Sequence, residues 1–355
     1  MAAIELQGVT KRWGTTTGVD NVSFNVESGS FAILLGPSGC GKSTTLRMIA
    51  GLEEVTEGRL RIGGRDVTDA PPSDRALSMV FQSYALFPHL SVEENIVFGL
   101  KVRKVPAADR ANRLARVAEI VGLQEVLERK PGQLSGGQRQ RVALARAIIA
   151  ENNICLMDEP LSNLDAKLRH DMRVEIRALQ RRLDMTVIYV THDQAEAMSM
   201  GDKVILMRDG RIEQEGTPEE LYERPMTTFA ASFIGTPPMR LLNLVSGGGG
   251  MVIDGENSTV ILEQTDRPMI VGVRPEHISI SDSKGIPAEL ISADYLGSET
   301  MIDARIGGQP VLVRWPGQMR LTEPMTARLS WDSSHVHVFD AASGKREDNI
   351  KACTV

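Results

Sequence analysis

Eight consecutive residues constrain this chain more than any others. Gly36-Pro37-Ser38-Gly39-Cys40-Gly41-Lys42-Ser43 has the spacing G-x-x-x-x-G-K-S and directly follows the apolar run from Phe31 to Leu35. Between a strand and a helix, this spacing makes a phosphate cradle. The glycines let successive backbone N–H groups turn inward around phosphate oxygens, and the helix N-terminus adds partial positive charge. Lys42 is expected to reach β- and γ-phosphates, and the Ser43 hydroxyl to ligate Mg²⁺. The plain alternative is a glycine-rich turn with an exposed lysine, and the strand-loop-helix context argues against it.

Around this loop, short apolar runs alternate with helical stretches. Ile154 to Met157 and Thr186 to Val190 read as further buried strands, and the helix after the loop should stop at Gly51. Such runs, bounded by turns and separated by helices, argue for a mostly parallel sheet covered on both faces. Val204 to Met207 and Arg211-Ile212 flank Asp209-Gly210, which predicts a hairpin. Ser91-Val92-Glu93-Glu94 and Thr217-Pro218-Glu219-Glu220 read as capping boxes that start helices. Beyond Gly235 the texture changes to short alternating segments punctuated by Gly and Pro, among them Met269 to Val273, Thr300 to Ile306 and Val311 to Trp315. That pattern suggests a small all-β barrel or sandwich. The expected domains are therefore 1–235 and 236–355.

The strand from Ile154 runs straight into Asp158-Glu159. In a parallel sheet, ligands gather beyond the carboxyl ends of the strands, so this pair should face the phosphate loop. Asp158 would hold Mg²⁺ through its water shell, and Glu159 would polarise a water aimed at the γ-phosphate. His192 follows the Thr186 strand, where a γ-phosphate contact competes with a merely structural histidine. Gln82 ends the apolar run at Met79-Val80-Phe81, and its carbonyl oxygen is a candidate Mg²⁺ ligand.

Leu134-Ser135-Gly136-Gly137-Gln138 precedes a helical stretch expected over Arg139 to Ala150. It is either a capping serine with a glycine turn or a second anion-binding helix end without a lysine. If it binds phosphate, the simplest reconciliation is that it serves the nucleotide of another copy. Two chains would then sandwich ATP head to tail.

Composition narrows the class. Lys plus Arg number 40 against 46 Asp plus Glu, for a net charge of −6, so the whole chain has no basic footprint for nucleic acid. Aromatics make up 4%, which argues against a protein built on stacking platforms. Three scattered cysteines (Cys40, Cys155, Cys353) suit neither a disulfide framework nor a zinc site, and a reducing compartment fits best. No apolar run approaches the ~18 to 20 residues of a membrane helix, and the N-terminus lacks a signal pattern. A cytoplasmic chain that meets a membrane only through partners is expected.

Taken in order, these motifs resemble the nucleotide-binding subunits of ABC transporters. The resemblance covers 1 to about 235 and implies an α/β P-loop nucleotide-binding domain with a helical subdomain. Carried over by position, Trp13 matches the aromatic that stacks on adenine, Gly36 to Thr44 the phosphate loop, Gln82 the glutamine loop and Ser135 to Gln138 the signature. Asp158 matches the magnesium-associated carboxylate, Glu159 the catalytic base and His192 the switch histidine. Ser162-Asn163-Leu164-Asp165 resembles the segment that couples two sites across a dimer, with Asp165 near the nucleotide. Met79 to Val92, Phe233 to Pro237 and Gly272-Val273-Arg274-Pro275-Glu276-His277 are similar to the maltose and glycerol-phosphate type of importer ATPase, whose C-terminal part is an OB-like regulatory domain. Arg274 to His277 would be a plain surface turn or a regulatory or dimer contact.

The resemblance implies an ATP- and Mg²⁺-dependent homodimer at the cytoplasmic face of the inner membrane. It would drive uptake through two permease subunits and, through them, a solute-binding protein. Tyr84, Leu86 and Phe87 would either receive a helix of a permease or simply pack internally. A sugar, polyol or glycerol-phosphate-like solute is expected, with polyamine, sulfate or iron import as the alternative. The short interval from Thr44 to Leu134 excludes the long coiled coil of DNA-repair-type ABC ATPases.

Overall fold

The computed structural model describes residues 2–256 and 258–355, with the side chain of Ala2 outside that description. The chain packs as two compact units, Met1–Pro218 and Glu219–Val355.

In the first unit, β1 (Ala2–Trp13), β2 (Thr16–Glu27), β4 (Glu57–Ile62) and β5 (Arg65–Asp66) form an antiparallel sheet in the order β2-β1-β4-β5. A six-stranded sheet follows the order β10-β9-β3-β8-β7-β6, built from β3 (Phe31–Leu35), β6 (Leu77–Val80), β7 (Ile154–Asp158), β8 (Thr186–Thr191), β9 (Lys203–Arg208) and β10 (Arg211–Gly216). Its strands are parallel except β10, and every residue of β3, β7 and β8 is buried. Continuous burial explains why these strands read as unbroken apolar runs rather than alternating ones. One core joins the two sheets, from Ile4, Val22 and Leu60 to Leu34, Leu156 and Ile205.

The helix α1 (Lys42–Ala50) ends at Gly51, whose φ of 75° lets its N–H cap the last turn. The β9–β10 hairpin turns on Asp209 and Gly210, with φ of 49° and 80°, the two left-handed positions of a type I′ turn. Helices α2 (Val92–Val102) and α3 (Ala107–Ile120) follow, and Ser91 and Glu94 form the capping box that starts α2. The next helix, α4, spans Gly136–Ile148, three residues earlier than the Arg139 start read from the sequence. Gly136, Gly137 and Gln138 are its first turn because Ser135 caps it. The remaining helices are α5 (Ala166–Leu183), α6 (Gln194–Met200), α7 (Pro218–Glu223) and α8 (Thr228–Phe233).

The second unit holds two five-stranded antiparallel sheets, over Arg240–Gly247 to Met269–Val273 with Val336–Asp340, and over Ser279–Ser281 to Met325–Ser330. Their inner faces share one core, with Leu242, Val271 and Val338 from one sheet and Leu290, Ile302 and Leu329 from the other. The glycine run from 247 to 250 is itself a hairpin: Gly247 pairs with Gly250, and Gly248 and Gly249 take φ of 60° and 87°.

The sequence reading assigned residues 219–235 to the first domain, whereas they pack in the second unit. Arg274 shows why. It is 1% exposed, its Nη2 donates to the Tyr222 carbonyl at 2.6 Å, its Nη1 donates to the Ile234 carbonyl, and its guanidinium lies 3.9 Å from the Tyr222 ring centroid. An arginine that anchors three elements internally is neither a surface turn nor a free contact for a second protein.

Nearby, His337 is 8% exposed, and its Nδ1 must accept from Arg346 Nη1 at 3.0 Å because a guanidinium can only donate. Burial, then the charge of Arg346, pushes its pKa down to about 3. An unfolded histidine gains a proton below ~6.5. Stability of this unit should therefore be complete above that pH and fall towards pH 3, by about 1.4 kcal/mol per pH unit for this one proton. Thermal melting of the wild type and of His337→Gln between pH 7 and 4 checks this: the variant should show the shallower decline.

Candidate nucleotide site

The site lies where four parallel strands end side by side. In the order β3, β8, β7, β6, the carboxyl ends lead to the phosphate loop, His192, Asp158-Glu159 and Gln82. The register keeps these ends level: Leu35 pairs with Thr191, Val190 with Asp158, and Met157 with Val80. A strand order that brings residues 36, 82, 158 and 192 to one edge is invisible to local sequence patterns.

In the phosphate loop, Gly36, Gly39 and Gly41 take φ of 153°, 81° and 100°. A Cβ on Gly36 would meet the Met207 carbonyl at 2.3 Å, and one on Gly41 would meet the Gly18 carbonyl at 2.7 Å. Pro37, Ser38 and Cys40 complete the curl, and Thr44 lies in the first turn of α1. Cys40 is buried, and burial raises its thiol pKa, so it is packing rather than a nucleophile. Lys42 is 4% exposed, and its ammonium donates to the Gly36 and Pro37 carbonyls at 2.8 Å each. Among the described residues no carboxylate pairs with it. A buried ammonium held by two neutral carbonyls and, at 3.8 Å, the Cys40 thiol, at a helix N-terminus, fits an anionic ligand.

Ser43 Oγ donates to Asp158 Oδ1 at 2.7 Å, which brings two of the three candidate metal residues together. A hydroxyl and a carboxylate held side by side are hard oxygen donors. That set suits Mg²⁺ better than a softer metal.

Glu159 stands one residue beyond β7 with φ of 43°, a left-handed conformation that side chains other than glycine rarely take. Its N–H donates to the Val190 carbonyl at 3.1 Å, and the Ser162 hydroxyl donates to its carbonyl at 2.9 Å, which hold the backbone there. Its Oε2 is a meeting point, with His192 Nδ1 at 3.3 Å and Gln82 Nε2 at 3.4 Å. A carboxylate fixed between an imidazole and an amide can orient a water and accept its proton. Gln82 also reaches the Ser162 hydroxyl at 3.4 Å, and Asn163 Nδ2 donates to the Gln82 carbonyl at 3.0 Å. Ser162 and Asn163 therefore belong to the site, although nothing in their local sequence ties them to a residue some eighty positions away.

Trp13 ends β1 at 47% exposure, with its indole N–H donating to Glu53 Oε1 at 3.3 Å. A Cβ on Gly18 would strike the Trp13 ring at 2.4 Å, and the Gly18 carbonyl also abuts Gly41. Gly18 thus seats an exposed aromatic face beside the cradle. Gly18 was not singled out in the sequence, because a glycine in a strand has no signature of its own.

Ser135 Oγ accepts from the Gln138 N–H at 3.3 Å, and Gln138 Oε1 accepts from the Ser135 N–H at 3.0 Å. The capping reading is thus realised in the single chain. Ser135 is also exposed, and none of the hydrogen bonds among the described residues joins Ser135–Gln138 to the phosphate loop of the same chain. A Cβ on Gly136 or Gly137 would meet Leu164 or Leu168 at 3.1 and 3.0 Å, so the glycines let α4 start against the 164–168 segment. Asp165 caps α5, accepting from the Leu168 N–H at 3.0 Å.

One expectation is corrected in the stretch after Gln82. Tyr84 is 7% exposed and packs internally, and its carbonyl accepts from Arg146 Nη2 at 2.7 Å. Leu86 and Phe87 are half-buried. Phe87 packs on Phe98 with ring centroids 4.5 Å apart, and Phe98 and Val102 are exposed beside it. Among the described residues, no helix is long and apolar enough to cross a membrane.

Comparison with known proteins agrees with this geometry. Residues 19–162 match the family described as ABC transporter, and residues 271–339 match the TOBE domain. The chain is 46% identical to a trehalose/maltose import ATP-binding protein of Thermococcus litoralis, aligned over 97% of this chain and 99% of that protein. It is 47% identical to an sn-glycerol-3-phosphate import ATP-binding protein of Agrobacterium fabrum, over 98% and 95%. Among solved structures, a dimeric ATP-binding cassette in a post-hydrolysis state with ADP and Pi matches with a TM-score of 0.54 and 32% identity, covering 61% of this chain and 98% of that one. With relatives aligned from end to end over a P-loop domain and an OB-like TOBE domain, the chain belongs to the ATP-binding subunits of ABC importers, the ATPases coupled to transport.

Proposed function

We propose that two copies of this chain close around two Mg²⁺-ATP and drive uptake of a sugar, polyol or glycerol-phosphate-like solute through two permease subunits at the cytoplasmic face of the inner membrane. The observation that carries this reading is a pair of glycine-flanked helix N-termini in one chain. Only the Lys42 end stands beside carboxylates, while the Ser135 end is exposed and joined to nothing in its own phosphate loop. Each ATP would lie between Gly36 to Thr44 of one copy and Ser135 to Gln138 of the other, with adenine on Trp13. Mg²⁺ would be held by Ser43 and Gln82, and by Asp158 through water. Bound Mg²⁺ neutralises phosphate charge. Glu159 takes the proton of the attacking water, and His192 holds Glu159 and the γ-phosphate in line. Both surfaces gain phosphate contacts only when closed, so ATP shifts the dimer towards closure and hydrolysis releases it.

The face formed by Leu86, Phe87, Phe98 and Val102 supports docking of a permease helix, close to the Gln82 end that senses the nucleotide. A solute-binding protein would deliver the solute to the permeases. The domain from 236 onward would regulate the ATPase and hold the dimer together.

Growth of a strain lacking this chain on a panel of sole carbon sources tests the solute. Failure on one sugar, polyol or glycerol phosphate, restored by the wild type and not by Lys42→Ala, is the expected result. Failure on several would show an ATPase shared among permeases. Normal growth on all of them would overturn the carbohydrate assignment.

A further inference from the structure

Behind Glu159 and His192 lies a polar cluster that the proposed hydrolysis does not use. Arg169, in the first turn of α5, donates from Nη2 to the Leu164 carbonyl at 3.0 Å, and its Nη1 lies 3.5 Å from Asp193 Oδ2. It thereby touches both the Ser162–Asp165 segment and the residue next to His192. Its Nε is buried and has no hydrogen-bond partner.

Asp193 is tightly placed. Its Oδ1 caps α6 by accepting from the Ala195 and Glu196 N–H groups at 2.8 and 3.3 Å, and its own N–H donates to Thr191 Oγ1 at 2.9 Å. Glu196 closes the cluster at 3% exposure, with Oε2 accepting from the Tyr189 and Thr191 hydroxyls at 2.9 and 2.6 Å. Burial raises its carboxyl pKa. A cavity of about 40 Å³ lies among Arg169, Glu196, Glu159, Ser162 and His192. That is room for water, and every residue that lines it is polar.

We propose that Arg169 is a positioning residue that holds the Ser162–Asp165 segment and the His192 strand end as one piece, with a water in the cavity satisfying its Nε. This deepens the proposed function and rests on its reading of Ser162–Asp165 as the segment that meets the second copy. When the second copy moves that segment, Leu164 carries Arg169 with it, Arg169 carries Asp193, and the adjacent His192 shifts against Glu159. Thr191, bonded to both Asp193 and Glu196, keeps the strand end from moving independently. The catalytic geometry of one site then depends on contacts made by the other copy, through one guanidinium.

The test is ATP-dependent turnover of the full chain, read as kcat, KM and Hill coefficient, for Arg169→Gln, Arg169→Lys, Asp193→Asn and the double variant Arg169→Gln/Asp193→Asn. Asp193→Asn keeps an oxygen to cap α6 but removes the charge that faces Arg169. Arg169→Gln should lower kcat about tenfold with KM changed less than twofold and the Hill coefficient falling towards one. Arg169→Lys should recover part of the loss. The double variant should lose no more than the worse single one, because both break the same link. An unchanged kcat, a parallel rise in KM and fall in melting temperature, or losses that multiply in the double variant would each overturn the proposal. Light scattering of Glu159→Gln with Mg²⁺-ATP separates the two readings. If no dimer forms, the meeting of Ser162–Asp165 with a second copy fails. If the dimer forms while Arg169→Gln does not alter turnover, only the role of Arg169 fails.

Discussion

Glu159→Gln is expected to lower ATP turnover by about 10²- to 10⁴-fold while leaving ATP binding intact. Glutamine has the shape of glutamate and can still meet His192 and Gln82, which converge on Oε2 at 3.3 and 3.4 Å. What it loses is the ability to take a proton from water. The left-handed backbone at residue 159 is held by Val190 and Ser162 rather than by the carboxylate, so the strained turn should survive the change. With hydrolysis blocked, ATP keeps bridging two copies. Phosphate release should fall to background, and light scattering with Mg²⁺-ATP should report a stable dimer where the wild type shows only a transient one. Turnover like that of the wild type would move the base elsewhere, with His192 the next candidate.

Lys42→Ala is expected to weaken ATP binding by about 10²-fold or more. Charge-assisted hydrogen bonds to phosphate contribute ~1.5–3 kcal/mol each, and the ammonium can reach two phosphate groups. In the structure the ammonium is spent on the Gly36 and Pro37 carbonyls, neutral partners that a phosphate oxygen can replace. The side chain is almost fully buried, so truncation also opens a hole beside Cys40 and leaves two carbonyls without this donor. Lys42→Met separates the two effects: it fills the same channel without charge. Nucleotide titration should show the same loss of affinity for Met and Ala, while thermal melting without nucleotide should show the larger destabilisation for Ala. Tight binding by Lys42→Met would mean that the glycine loop and helix end alone hold the phosphates.

Much of the first unit was legible because its local signals agree with its tertiary structure. The buried strands Phe31–Leu35 and Thr186–Thr191, the stop at Gly51 and the Asp209-Gly210 turn each follow from residues adjacent in sequence. Readings failed where long-range packing outweighed local texture. Tyr84 reads as part of an exposed docking segment with Leu86 and Phe87, yet it is buried. Arg274 reads as a charged turn, yet its guanidinium is surrounded by Tyr222 and the carbonyls near it, and it draws residues 219–235 into the second unit. The start of α4 was read late because glycines look like a loop, whereas Gly136 and Gly137 are helical positions that leave space for Leu164 and Leu168.

For the candidate site, the sequence alone determined the chemical inventory: a phosphate loop, a strand-ending acid pair, a lone histidine, a glutamine after a strand and a second glycine-led helix. Those are local facts, since a strand-loop-helix turn or a capping serine is specified by neighbours a few residues away. Tertiary structure decided which of them meet. Strand order β3-β8-β7-β6 sets residues 36, 192, 159 and 82 side by side, and only that order makes Glu159 Oε2 a shared partner for His192 and Gln82. It also assembled Arg169, Asp193 and Glu196 into a buried cluster. Sheet pairing is selected by burying apolar faces across the whole domain, a sum over distant contacts that no local window of the chain contains.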